Sequence, residues 1–254
     1  MPFNYAHYRF AARLLPGMPK NVQSTVGRFR QLYDVGLHGP DIFMCRGPVL
    51  RKLSRKFHRQ SGRDFFTRVV REIRLEPSEG ALAYLYGLLT HYCLDSLCHP
   101  FVNAQVGPGH VEIESEFDRY LLEMDGKTPP HTQDLSRHIR LTPGGCETVA
   151  RFYPPATAPQ VQSCVWNMAL FARVLATPEG KGRLLMQRTL GIADDRLSRF
   201  FMTVGPNPRC AGMNAQLLAL YQQAEDRFPG MLQQLLEHLH HNAPLGEEFD
   251  PAFG

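Results

Sequence analysis

Three residues that can bind a metal ion recur at four-residue intervals in the segment SEGALAYLYGLLTHYCLDSLCHP, which begins at Ser78. They are His91, Asp95 and His99. Residues four apart lie on one face of an α-helix. The first half of the segment is almost wholly apolar, which predicts a helix buried on most sides and ended by Pro100. Because burying an unpaired charge is expensive, these side chains are expected to be paired or to bind an ion.

Five further residues of the same chemical types accompany this stripe. His110 and Glu114 repeat the four-residue spacing at the start of the next amphipathic segment. His7, Asp41 and His58 lie upstream. Imidazole nitrogen and carboxylate oxygen are ligands that zinc takes, and a structural or catalytic zinc ion uses about four ligands. Eight such residues therefore predict two zinc ions and allow a third.

The order of these residues resembles that of the zinc-dependent phospholipase C family, whose relatives include the fungal single-strand nucleases. The shared order is His, Asp, His, HxxxD, His and HxxxE, and it covers about residues 1–125. The resemblance implies an all-α fold, a multi-helix bundle that buries a metal cluster.

The resemblance also implies which residues share each ion. One set is Asp41, His58, His91 and Asp95, and the second is His99, His110 and Glu114. A third ion would take Asp95, His7 and the terminal amine, which belongs to Pro2 once Met1 is removed. Secreted members expose a terminal tryptophan and have a longer, proline-containing step after the bridging Asp. Here that step is four residues, so a two-zinc core requires a helix that continues through His99.

Hydrolysis of a phosphodiester is the chemistry that such a cluster predicts. By resemblance, Asp41 binds zinc and also orients or deprotonates the attacking water. The leading substrate is a phospholipid cleaved on the glycerol side of its phosphate. One alternative is a nuclease or phosphatase on the same scaffold; a nuclease would need aromatic platforms for bases, for which the candidates are Tyr5, Tyr8, Phe43 and Phe57. The other alternative is a non-catalytic, zinc-stabilised helical module that binds a membrane or a partner.

A local excess of positive charge lies between residues 46 and 74. Ten Arg or Lys residues stand there against Asp64 and Glu72, an excess of eight, whereas the whole chain has a net charge of +4. Four of these cations recur every four residues beside His58: Arg51, Arg55, Arg59 and Arg63. They predict either a solvated face or a surface that docks on anionic headgroups, or on a nucleic acid under the nuclease alternative. No stable protein partner is predicted.

Apolar residues at three- and four-residue spacing run through most of the chain and predict an all-helical protein. The predicted helices are 4–15, 21–35, 47–60, 62–74, 78–99, 112–124, 160–176, 181–190, 194–203, 212–227 and 230–241. One domain is expected over residues 1–246, followed by a loose tail at 247–254. Glu112, Glu116 and Asp118 are expected on the solvated side of their helix.

Composition excludes several classes of protein. With 43% hydrophobic and 20% charged residues, the chain is neither disordered nor fibrous. No window approaches the roughly 18 apolar residues of a membrane-spanning helix. Arg9 and Arg13 interrupt the apolar stretch that a signal peptide would need. The six cysteines lack CxxC spacing, which favours reduced thiols and a cytoplasmic location.

Overall fold

The computed structural model describes residues 4–175 and 201–253, and the fold of this part is all-α. Within those ranges there is no strand, and one isolated bridge pairs Ser61 with Ala252. A 3₁₀ segment, Gly39–Cys45, follows the third helix. The α-helices are α1 (Asn4–Leu14), α2 (Lys20–Arg28), α3 (Arg30–Gly36), α4 (Pro48–His58), α5 (Gly62–Leu75), α6 (Glu79–Asn103), α7 (His110–Met124), α8 (Pro143–Phe152), α9 (Ala158–Leu175) and α10 (Met213–His241).

Helix α6 is the buried centre of the fold, with α3 and α10 packed against it. Its first turn is capped by Ser78, whose hydroxyl accepts a hydrogen bond from the Ala81 N–H. The prediction that Pro100 ends this helix is wrong, because α6 continues to Asn103. The final turn is completed beyond the proline, where the side-chain amide of Gln105 donates to the Phe101 carbonyl. Helical backbone therefore runs through His99.

The crossing of α3 and α6 depends on a contact between two glycines. A Cβ on Gly87 would overlap the carbonyl oxygen of Tyr33, and one on Gly36 would lie 2.6 Å from that of Tyr84. The two backbones can approach this closely only without side chains at the crossing. Since the Gly39–Cys45 segment follows α3 directly, this close approach brings the segment against α6.

Several helix boundaries differ from the predicted ones. The helix predicted at 21–35 is two helices separated at Phe29, whose backbone leaves the helical region. The helices predicted at 212–227 and 230–241 are one, α10, which continues through Pro229 because its residues on both sides of the proline pack into the core. Residues 201–203 are not helical. The rest of the helix predicted at 194–203, and the one at 181–190, lie outside the described residues.

Helix α8 was not predicted, because its first residues, Thr-Pro-Gly-Gly, are typical of a turn. Thr142 caps it by accepting a hydrogen bond from the Gly145 N–H, and Pro143 occupies the first helical position, where a missing N–H costs nothing. Cys146, Val149 and Phe152 then form its buried face. Because this face packs into the core, a sequence that is typical of a turn forms the start of a helix.

The segment predicted as a loose tail is packed, so that prediction is wrong for residues 247–253. Phe249 and Phe253 are both fully buried. The Phe253 ring lies 4.8 Å from the ring of Tyr92 and 4.9 Å from that of Phe65. The backbone is held as well, since the Gly62 N–H donates to the Pro251 carbonyl. The tail ends a core that begins at Tyr5.

Two further findings concern the cysteines and the membrane. The described cysteine side chains are buried and free: Cys93, Cys98, Cys146, Cys164 and Cys210. In the described ranges, none of the helices combines the length and the apolar character that crossing a bilayer requires.

Replacing Gly87 by Ala is expected to lower the free energy of unfolding by about 1–3 kcal/mol, because the new methyl group forces α3 away from α6. Urea titration of both proteins measures this change. Gly27→Ala is the matched control, since Gly27 lies in α2 with nothing within 4 Å of an added Cβ. That control should be neutral or stabilising by up to about 1 kcal/mol. Equal effects of the two substitutions would show that the glycine crossing has no special role.

Candidate metal centre

Five separate elements bring the eight predicted residues to one region beside α6. Helix α6 itself carries three of them on one face. The others come from α1, from the 3₁₀ segment, from the last residue of α4 and from the first two turns of α7. Their side chains form three groups, the first two of which share His91. In each group the candidate ligand atoms lie within 4.8 Å of one another: His7, His91 and Asp95; Asp41, His58 and His91; and His99, His110 and Glu114.

Asp95 is the centre of the arrangement. Its carboxylate lies 3.1 Å from His7 Nε2, 3.2 Å from His91 Nε2 and 3.6 Å from His99 Nε2. Its side chain is only 1% exposed. Burial alone would raise the pKa of Asp95, but the three imidazoles hold that pKa below its usual range. Asp95 therefore stays ionised and connects imidazoles that come from two helices, α1 and α6.

The second group lies one turn farther along α6. Glu114 Oε1 is 2.7 Å from His110 Nε2 and 3.4 Å from His99 Nε2. Burial opposes charge on His99, yet Asp95 and Glu114 together raise its pKa to about 9. The His110 side chain is 33% exposed, the highest value among the eight, so this group opens toward solvent.

The remaining group joins the 3₁₀ segment to α4. Asp41 Oδ1 lies 2.9 Å from His58 Nε2, and their side chains are 10% and 14% exposed. His91 completes the group and is fully buried. Burial lowers the pKa of His91 to about 4, so its ring is neutral and one nitrogen keeps a free electron pair.

Hydrogen bonds on the far side of three imidazoles direct their Nε2 atoms inward. The Nδ1–H of His58 donates to the Ser54 carbonyl at 2.8 Å, and that of His91 donates to the Leu37 carbonyl at 3.2 Å. His110 donates in the same way to Asn103 Oδ1 at 2.9 Å. Each of these bonds fixes the proton on Nδ1 and leaves Nε2 as the ligand atom.

Gly39 makes room for His91. It adopts a positive φ of 46°, which favours glycine. A Cβ at this position would also lie 2.8 Å from His91 Nε2. Only glycine therefore allows the 3₁₀ segment to bring Asp41 so close to the His91 ring.

The residues present fit zinc. Both carboxylate oxygens of Asp95 and the Nε2 of His91 are buried, yet none of these atoms makes a hydrogen bond of normal geometry with a described residue. Leaving a buried carboxylate in that state is costly unless a cation compensates it. The donors are imidazole nitrogens and carboxylate oxygens, which zinc accepts. The terminal amine predicted for a third ion belongs to Pro2, which lies outside the described residues.

Sequence reasoning missed His138, which no spacing distinguishes. Its Nε2 is 2.9 Å from the Nε2 of His38, and its ring packs on Tyr8 at 4.7 Å between centroids. Burial lowers the pKa of both imidazoles, to about 3 for His138. The two imidazoles are therefore uncharged, and they lie beside the metal groups.

The expectation for the acidic residues of α7 is wrong. Glu112, Glu116 and Asp118 are buried, and so is Arg119, which donates to Glu116 at 2.7 Å. Asn207 covers this face by donating its side-chain amide to Glu112 at 3.0 Å. Partners that are distant in sequence satisfy the charges, and that is why helical periodicity alone misassigns this face.

The basic stripe is also corrected. Helix α4 ends at His58, and Arg63 lies on α5, so the four-residue repeat does not follow one helix. Arg63 pairs with Asp250 at 2.6 Å and donates to the carbonyls of Leu245 and Gly246, so it anchors the C-terminal segment. Six exposed cations lie on α4 or directly beside it, and none of them forms an ion pair with a described residue. We call this set the α4 basic face: Arg46, Arg51, Lys52, Arg55, Lys56 and Arg59.

One comparison with known proteins gives a match. A family model described as zinc dependent phospholipase C matches residues 6–147, more than half of the chain. The matched range contains all eight residues of the three groups. No curated protein and no solved structure matches the chain significantly.

Zinc content tests the three groups. The purified chain is expected to hold two or three zinc ions, and less than one transition-metal ion per chain would contradict the assignment. Asp95→Asn should weaken zinc binding more than Glu114→Gln, because Asp95 contacts three imidazoles and Glu114 two. A loss of at least about 100-fold in affinity is expected for Asp95→Asn.

Elemental analysis and competition with a chelator measure both quantities. The control is Asp64→Asn, an exposed carboxylate on α5 that belongs to none of the groups. It should leave zinc content unchanged. Equal losses for Asp95→Asn and Glu114→Gln would argue against a shared role of Asp95.

Proposed function

The chain belongs to the zinc-dependent phospholipase C family, and from that premise we propose that it hydrolyses phosphodiesters, with phospholipids cleaved on the glycerol side of the phosphate as substrate. The observation that carries the proposal is the buried Asp95 carboxylate shared by imidazoles of adjoining groups. When bound, zinc supplies Lewis-acid stabilisation of the charge on phosphoryl oxygens. His7, His58, His91, His99 and His110 would hold it together with the three carboxylates.

Asp41 is the carboxylate proposed to act on the attacking water. Its side chain is 10% exposed, whereas those of Asp95 and Glu114 are each 1% exposed. Asp41 is therefore the most accessible to water of the three carboxylates. Asp41 would orient that water and accept its proton, while its position in the 3₁₀ segment keeps the carboxylate beside His58.

The exposure of other side chains bears on the two alternatives. Of the aromatic candidates for base stacking, Tyr5, Phe43 and Phe57 are at most 5% exposed and belong to the core. A nuclease would need such rings at the surface. A non-catalytic module would have closed ligand sets, whereas His110 is one-third exposed. Tyr8, the fourth candidate, is only partly buried. The burial of the other three rings disfavours a nuclease, and the exposure of His110 favours an enzyme over a closed zinc module.

The Asp41→Asn variant tests the hydrolase. Zinc-loaded wild type should release diglyceride and a phosphorylated headgroup from phosphatidylcholine, with lower activity on a phosphomonoester and on single-stranded oligonucleotides. Asp41→Asn should lower kcat by about 100-fold or more, the usual contribution of a general base. Asp64→Asn is the matched control and should keep wild-type kcat. Hydrolysis of oligonucleotides alone would overturn the lipid proposal, and inactivity of zinc-loaded wild type toward all three substrates would overturn the hydrolase.

The α4 basic face is proposed to dock on anionic lipid headgroups. The buried side of α4 is Leu50, Leu53, Ser54 and Phe57, so its cations all point outward. Val49, at the start of the helix, is 77% exposed and adds an apolar contact. The last residue of the same helix is His58, a member of the metal groups. Docking along α4 would therefore place the site at the bilayer surface.

Neutralising Arg51, Lys52 and Arg55 to Gln should weaken binding to vesicles that contain phosphatidylserine by about 100-fold, because each cation near an anionic surface contributes about 1 kcal/mol. Vesicle sedimentation measures the binding. A charge-matched control neutralises three exposed cations elsewhere: Lys20, Arg71 and Arg140. Hydrolysis of a small soluble diester should be the same for both variants. Equal vesicle binding by the two variants would contradict a docking role for α4.

A further inference from the structure

The start of helix α1 is held by a carboxylate from another helix. Asp118 of α7 accepts the backbone N–H of Ala6 through Oδ1 at 2.8 Å and that of Tyr5 through Oδ2 at 3.1 Å. Asp118 is 2% exposed, and Tyr5 and Ala6 are buried as well. His7 is the next residue of α1.

These bonds satisfy groups that a helix cannot satisfy by itself. The first N–H groups of an α-helix have no partner within the helix, and the positive end of its dipole lies there. An oxygen acceptor at this end usually comes from the residue that precedes the helix. Here it comes from a side chain 112 residues away from Ala6. Asp118 therefore fixes both the position and the rotation of the first turn of α1.

The same stretch of α7 contributes to the metal groups. Glu114 lies one turn before Asp118 and contacts His99 and His110. Burial raises the pKa of Asp118 to about 8, and the N–H groups of Ala6 and Tyr5 oppose that rise because they favour the ionised carboxylate. Burying such an acid costs free energy of folding. The groups that Asp118 contacts are backbone N–H groups directly before His7.

We propose that Asp118 is a positioning residue that holds His7 against Asp95 by capping the first turn of α1. The inference rests on the proposal that the three groups bind zinc. It assigns Asp118 to one group only, that of His7, His91 and Asp95. The other two groups contain no residue of α1, so they do not depend on this cap.

The carboxylate directly after α7 provides a matched control. Asp125 accepts from Arg9 Nε at 2.7 Å and from the Tyr5 hydroxyl at 2.6 Å, so it joins α1 to the end of α7. Its bonds go to side chains and not to the backbone beside His7. The side chain of Asp125 is 27% exposed. Loss of Asp125 removes a contact between α1 and the residue that follows α7, and it leaves the first turn of α1 capped.

The experiment compares Asp118→Ala, Asp118→Asn, Asp125→Ala and His7→Ala in the full chain, by zinc content after dialysis and by thermal unfolding. Asp118→Ala and His7→Ala should each lose one zinc ion per chain, or bind it at least about 10-fold more weakly. Their combination should lose no more than either alone, because both act on one group. Asp118→Asn, which keeps one of the two oxygen acceptors, should bind this zinc more weakly than the wild type but more tightly than Asp118→Ala. Asp125→Ala should keep wild-type zinc content even where its melting temperature falls.

Three results would overturn the inference. The first is wild-type zinc content and affinity in folded Asp118→Ala, or in folded Asp118→Asn if the Ala variant does not fold. The second is an equal loss of zinc in Asp125→Ala. The third is unchanged zinc in His7→Ala, because His7 would then hold no metal for Asp118 to position. Absence of zinc from the wild type would instead overturn the proposed function itself.

Discussion

A carboxylate buried in the middle of an apolar helix is the constraint on which the rest of the structure depends. Asp95 lies on α6, the most buried helix of the described part, and is 1% exposed. Removing an unpaired charge from water costs several kcal/mol even after relaxation of the protein. Three imidazoles from two helices surround it. The other elements are arranged so that those imidazoles, and the cation they can hold, compensate this one charge.

Close backbone approach achieves much of that arrangement. The contact of Gly36 with Gly87 brings α3 onto α6, and Gly39 then leaves space for the His91 ring. The 3₁₀ segment that follows can therefore present Asp41 beside His58. On the other side, Phe253 packs on the aromatic rings near α6, and its centroid lies 6.2 Å from that of His91. The C-terminal segment thus supports the site from outside the matched range.

Helix α7 links the site to the remainder of the chain. One part of its face contributes Glu114, the next turn contributes Asp118, and Glu112 and Glu116 accept hydrogen bonds from Asn207. Buried polar networks of this kind are stable only when every member has a partner. Residues that belong to no recognised motif are consequently needed to keep the ligand helix in place.

Local spacing alone was enough to predict the parts of this protein that depend on one helix. His91, Asp95 and His99 share a face because the α-helix repeats every 3.6 residues, and His110 reaches Glu114 for the same reason. The all-α fold, the buried α6 and the resemblance to the family followed from the same kind of pattern. The order of the eight candidate ligands along the chain led to the inference that they form one site. Their role as metal ligands stays a prediction.

Tertiary structure alone decided what depends on contacts between distant residues. The acidic face of α7 is buried because Asn207 and the start of α1 cover it. Arg63 is paired with Asp250 because the C-terminal segment folds back onto α5. Helix α6 passes Pro100 because packing and a side-chain hydrogen bond complete the last turn. No periodicity within a segment records these partners. The physical reason is that burial is a property of the assembled core, whereas spacing is a property of a single element.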